Sequence, residues 1–159
     1  MYFLRRLRIY GTSRREVLSK LIAYSTIYGL LMINYIDLVT PGSNIPGYHL
    51  WLIIQYFAPF LSILCLLGFE DWELIVSLGL LGSLMNDLFY APVGMILFGK
   101  EYDLIEWYLW QLGFQAFNVK WYANLGFIMI PVSSMLMGVL IYTRILISAL
   151  LCYKWYHEE

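Results

Sequence analysis

Leu74-Ile75-Val76-Ser77-Leu78-Gly79-Leu80-Leu81-Gly82-Ser83-Leu84-Met85-Asn86-Asp87-Leu88-Phe89-Tyr90 carries a single formal charge, at Asp87. A helical run this apolar approaches the roughly 20 residues needed to cross the hydrocarbon of a bilayer. Ser83, Asn86, Asp87 and Tyr90 are spaced three and four apart, which places them on one helix face above a strip of small residues at Gly79 and Gly82. That face should point into protein. The Gly79–Ser83 and Gly82–Asn86 spacings permit close helix–helix approach of the small-xxx-small kind.

Outward from this run, Ala91-Pro92 either ends the helix near 90 or kinks it before a continuation to 98, because proline has no N–H and restricts the residue before it. On the other side, Glu70-Asp71-Trp72-Glu73 forms a tight acidic turn whose carboxylates fall where the dipole of the next helix favours negative charge.

The rest of the 159-residue chain has the same character: 61% of its residues are hydrophobic, 13% are charged, and the mean hydropathy is +0.68. Soluble domains carry roughly 25% charged residues. The chain is therefore expected to be an all-α integral membrane protein, a single transmembrane domain over 1–159, with four spans at about 21–38, 50–69, 74–90 (or on to 98) and 125–147. Ser13-Arg14-Arg15-Glu16 matches a capping box and predicts where the first helix starts. Pro41-Gly42 and Pro46-Gly47 break the chain after it. Tyr48 and Trp51 sit at the outer edge of the second span, as amphipathic rings prefer. Pro59 lies in the middle of that span and is tolerated if a neighbouring helix satisfies the freed carbonyl. Between the last two spans, the aromatic-rich segment of about 103–117 reads as a helix lying in the membrane interface; it lacks the Lys/Arg-rich face of an anionic-lipid binder, so contact with a partner protein is the better explanation for its many aromatics. Pro131 falls in the first turns of the fourth span as read here, and the helix is expected to extend past Arg144 to Lys154, Trp155 and Tyr156.

Charge sets the orientation. Arg5, Arg6, Arg8, Arg14, Arg15 and Lys20 precede the first span, and Arg144 and Lys154 join them at the far end of the fourth, against Lys100 and Lys120 on the other side. The positive-inside rule then puts both termini in the cytoplasm. The first apolar stretch runs on to Asn34 without a small-residue cleavage site, so it is expected to remain in the protein. Cys65 and Cys152 lie in apolar segments and show no disulfide framework.

Polar residues inside a membrane are costly and are functional candidates by default. The topology gathers Asn34, Asp37, His49, Asn86, Asp87 and Tyr90 toward the outer side. Asp37, His49 and Asp87 are the candidate metal ligands, as hard oxygens and an imidazole. Asp87 alone is a candidate proton-relay or general-base carboxylate. Gly79, Gly82, Ser83, Asn86, Asp87 and Tyr90 are the candidate helix-packing residues. On the inner side, Arg144 is at the depth of Glu70, Asp71 and Glu73, and an ion pair with one of them is expected.

No nucleotide loop, nucleophile elbow or zinc-protease motif appears, and no internal repeat supports alternating access by a single chain. The sequence identifies no catalytic residue and no cofactor. It points to an accessory or structural subunit of a larger membrane complex, of the respiratory or metal-dependent oxidoreductase kind, rather than to an enzyme. Its partners would be the lipid bilayer and other integral subunits or a second copy of the chain, not nucleic acid. Two alternatives stay open: a small membrane enzyme or metal-binding protein with an outer-face site at Asp37, His49, Asp87 and Tyr90, and an oligomeric channel or carrier using Asp87.

Overall fold

The computed structural model describes residues 13–40, 45–67 and 71–157. The protein is mostly helical, and three of its helices, Arg15–Val39, Trp72–Phe98 and Ser134–His157, are long and apolar enough to cross a membrane. Helix α1 covers 14–39, α-helical over Arg14–Ile27, π-helical over Tyr28–Ile33 and α-helical again over Asn34–Val39. Helix α2 is Tyr48–Leu67, α3 is Trp72–Phe98 and α4 is Leu104–Gln111. Strands β1 (Val119–Asn124) and β2 (Met129–Ser133) then form an antiparallel hairpin before α5, Ser134–His157. The basic residues Arg5, Arg6 and Arg8, the Pro41-Gly42 break, the end of the expected second span at Phe69, and Glu70 lie outside the described residues.

Helix α3 is the axis, contacted by α1, α2, α4 and α5. Cross-helix contacts set the directions. Ser25 donates to the Leu78 carbonyl, and Asn86 donates to Asn34, so α1 and α3 run parallel. Arg144 meets Asp87, Ser148 meets Ser77 and Lys154 meets Glu73, so α5 is antiparallel to α3. Phe57 lies over Gly79 while Tyr56 reaches Asn86 and Phe60 packs with Leu74, Ile75 and Leu78, which makes α2 antiparallel as well. The start of α1 and the end of α5 therefore share one end of the bundle, where Leu18, Leu21 and Trp155 pack with Phe60 and Leu78. Helix α4 and the hairpin sit toward the other, with Trp110 and Val132 packed against Leu84, Met137 and Ile141.

Within the small-residue strip, Gly79 lies under the Phe57 ring and Gly82 meets α1. A methyl group on Gly29 would lie 2.2 Å from the Gly82 carbonyl oxygen, so α1 and α3 meet backbone to backbone.

Helix α3 continues through Pro92 to Phe98, the longer of the two expected lengths. Proline at 92 cannot bond the carbonyl of Leu88, four residues earlier. The Tyr108 hydroxyl on α4 donates to that oxygen at 3.0 Å, and Gln111 Nε2 donates to the neighbouring Asp87 carbonyl at 3.1 Å. Pro59 repeats the arrangement. The carbonyl it frees belongs to Gln55, which accepts from the Tyr28 hydroxyl at 3.0 Å. Each internal proline is thus matched by a tyrosine from an adjacent helix. In the π segment the same task falls to Asn34, whose amide donates to the Gly29 and Leu30 carbonyls at 3.3 and 3.0 Å.

The region before the last helix departs from expectation. The last apolar helix begins at Ser134 rather than near 125, and it runs to His157. Pro131 lies in β2, paired opposite Tyr122. A two-stranded hairpin has only edge strands, where a missing N–H is tolerated. Trp121, Tyr122, Ile130 and Val132 favour a strand, Gly126 turns the chain at φ +89°, and the Ser133 hydroxyl caps the helix by accepting from Leu136 N at 3.3 Å. The helix expected over 103–117 is shorter, Leu104–Gln111. Asp103 caps its start, and Gly113 at φ +90° ends it, with Phe114 N bonded to Leu109 O and Gly113 N to Trp110 O.

The tyrosine–proline matching gives a direct test. Tyr28→Phe is expected to cost about 1 kcal/mol, read as a melting-temperature drop of a few degrees in detergent. In a Pro59→Ala background, where residue 59 supplies its own N–H, the same change should cost much less. Equal losses in both backgrounds would contradict the matching.

Candidate functional site

The polar residues of the bundle interior form three linked groups around α3. In the first, Tyr56 on α2 donates to Asn86 Oδ1 at 2.7 Å, and Asn86 Nδ2 donates to Asn34 Oδ1 on α1 at 2.9 Å. Asn34 and Asn86 are buried, at 0% and 1% exposed, so this chain ties three helices together out of reach of solvent. Asn34 is in place because the π segment shifts the helix register just ahead of it, and its amide closes back onto that segment.

The second group is Asp37 at the end of α1, which accepts from the Tyr48 hydroxyl at the start of α2 at 2.7 Å. Nearby, Lys100 donates to the Leu38 carbonyl at 3.4 Å, placing a cation at the C-terminus of α1 where the helix dipole favours it.

The third group is Asp87 with Arg144, which approach to 2.5 Å with side chains only 20% and 16% exposed. Arg144 also donates to the Ser83 hydroxyl at 3.1 Å and to the Leu140 carbonyl at 3.0 Å. The ion pair expected of Arg144 with the acidic turn is thus made with Asp87 instead. The α5 helix starts later than expected, which puts Arg144 near its middle, so the turn is met by residues about half a helix beyond Arg144. Glu73 pairs with Lys154 at 2.8 Å, and Asp71 accepts from Trp155 Nε1 at 2.7 Å.

His49 is engaged by the hairpin. Its Nδ1 accepts from Asn124 N at 2.9 Å and its ring stacks on Trp121 at 5.1 Å, which docks the hairpin onto α2. Among the described residues, no group of three or more His, Cys, Asp or Glu side chains is placed to hold a metal ion. Tyr90 stacks on Trp107 at 5.7 Å, edge-on to Tyr102, and Tyr102 in turn closes over Gly94.

Sequence reasoning missed Tyr48 and Tyr56 as members of these groups, and Tyr28 and Tyr108 as donors to the carbonyls freed by proline. The prolines at 59 and 92 were the available signal for two of them, since each implies an unfilled acceptor four residues earlier. A further motif, Ser77 against Ser148 and Cys152 at 2.9 and 2.8 Å, joins α3 to α5 nearer the termini.

No protein-family model matches the chain, and neither a curated protein nor a solved structure is detectably similar to it. The geometry alone therefore bears on function. It offers neighbouring carboxylates and phenols, one of them paired with a guanidinium, each already bonded across a helix interface.

Arg144→Met leaves Asp87 as a carboxylate with no counter-ion in a low-dielectric setting, at a cost of about 3 kcal/mol. Arg144→Met with Asp87→Leu removes both charges and should recover most of that loss. Thermal melting of the purified single and double variants checks this, and a double variant less stable than Arg144→Met would contradict the pairing.

Proposed function

We propose that the chain is a four-pass membrane protein, with α1, α2, α3 and α5 as its spans and both termini cytoplasmic, that serves as a structural accessory subunit of a larger membrane complex. The alternating helix directions support the pass count, because 13 and 157 then lie at one end of the bundle. Arg14, Arg15 and Lys20 at that end fit the positive-inside rule.

One observation carries the functional reading. Asn34, Asn86, Asp37, Asp87 and Arg144, the intramembrane groups best suited to chemistry, are each bonded to a residue of another helix. Such bonds fix packing. A subunit of this kind presents its outward surface to others, and α5 has the most exposed such face of the three apolar helices, with Val139, Leu146, Leu150 and Tyr153 at 56%, 60%, 57% and 66% exposed. The larger partners would be integral subunits, with a respiratory or metal-dependent oxidoreductase assembly as the proposed setting.

Purification from the native membrane in mild detergent, followed by native mass spectrometry and elemental analysis, tests this. Recovery in fixed ratio with larger subunits is the expected result. A lone chain or homo-oligomer carrying stoichiometric metal would overturn it.

A further inference from the structure

Helix α4 and the turn that follows lie deeper in the fold than a connection between spans needs to. The register along two helices, read from one shared boundary, gives this depth. The inner boundary of the bundle is marked by Asp71, Glu73, Lys154 and Trp155, which bond to one another across α3 and α5. Along α3, Asp71 to Leu88, the residue bonded by Tyr108, is roughly 25 Å at 1.5 Å per residue. Along α5, Trp155 back to Gly138, which packs against Gly113, is again roughly 25 Å. The hydrocarbon layer is about 30 Å thick. The end of α4 and Gly113 therefore sit about 5 Å inside its outer boundary. Tyr102, packed on Gly94, lies beyond that boundary, so α4 descends into the layer from outside.

The surface at that depth suits lipid. One face of α4 is used up inward, by Trp110 at 0% and Gln111 at 3% exposed. The other carries Ile105, Leu109 and Leu112 at helical spacing along a shallow groove lined only by Leu104, Ile105, Tyr108, Leu109 and Leu112. Phe114 follows at 69% exposed. Part of the turn's backbone is satisfied within the protein, as irregular backbone at membrane depth requires. The N–H groups of Leu112, Gly113 and Phe114 bond back into α4, and Gln115 N bonds the Ser134 hydroxyl. The carbonyls of Leu112, Ala116 and Asn118 accept from Tyr142, Met135 and Ser134.

We propose that α4 and its turn form a wedge set into the outer half of the bilayer, with the Ile105–Leu109–Leu112 stripe and Phe114 covered by lipid acyl chains. The wedge rests on the four-pass reading. It assigns this face to lipid, so that contacts with partner subunits fall elsewhere.

The test uses the full chain with Cys65 and Cys152 replaced by alanine, reconstituted in phosphatidylcholine–phosphatidylglycerol vesicles. Nitroxide labels are placed singly at Ile105→Cys, Leu109→Cys, Phe114→Cys and, as a reference on α5, Leu146→Cys. Power saturation compares collision with oxygen, which concentrates in lipid, against a water-soluble nickel chelate. Leu109 and Phe114 are expected to favour oxygen several-fold, at a shallower depth than Leu146, with Ile105 nearer the headgroups. Nickel access at Leu109 and Phe114, with Leu146 still in lipid, would overturn the wedge and leave the spans intact. Exclusion of both reagents from Leu109 and Phe114 would overturn it in favour of a covering protein. Nickel access at Leu146 would overturn the four-pass reading itself.

Discussion

A carbonyl oxygen without a donor costs several kcal/mol in a hydrocarbon environment, and that constraint explains more of this structure than any other. Two of the long helices contain internal prolines, and each proline leaves one such oxygen. Tyr28 and Tyr108 fill them from outside the helix that carries the break. The consequence reaches past the hydrogen bonds themselves. To reach Leu88, α4 must lie along α3, and to reach Gln55, α1 must lie along α2. The helix breaks thereby determine which elements are neighbours.

The polar side chains act in the same direction. Asn34 serves the π segment of its own helix and the amide of Asn86 together, so a local irregularity in α1 becomes a tie between α1 and α3. Arg144 spends its donors on Asp87, Ser83 and its own helix, which ties α5 to α3. Replacing such groups with apolar ones of similar shape can be nearly neutral for stability, whereas removing one partner is costly. Their contribution is then to register: they select one rotation of each helix about α3. The Gly29–Gly82 contact, which no side chain could share, selects the spacing.

Much of this was legible in the sequence, and the boundary of legibility has physical causes. The shared face of Ser83, Asn86 and Asp87 follows from helical periodicity; the small-residue spacing names no partner helix, and the structure brings Gly29 of α1 against Gly82. The partners did not, because Asn34, Tyr56 and Arg144 are selected by relative helix rotation, which a single sequence does not encode locally. Arg144 was assigned to the acidic turn because the last helix was placed too early. The run from Leu125 to Ile147 carries one charge, at Arg144, and is otherwise mostly apolar, so hydropathy does not separate the strand Met129–Ser133 from the helix that follows. Asn124-Leu125-Gly126 with Pro131 was the readable turn-and-strand signal. His49 was grouped with the aspartates by depth alone, whereas it faces Trp121 and Asn124 of the hairpin.

The central claim is that the chain crosses the bilayer an even number of times, with its ends together and the hairpin opposite. Labelling of single cysteines in intact cells by a membrane-impermeant maleimide tests it most directly, at Ser13→Cys and His157→Cys for one end and Lys100→Cys and Gly126→Cys for the other, in a cysteine-free background. Residues 100 and 126 should label in intact cells, and 13 and 157 only after permeabilisation. Labelling that separates 13 from 157 would require an odd number of crossings and would contradict the account.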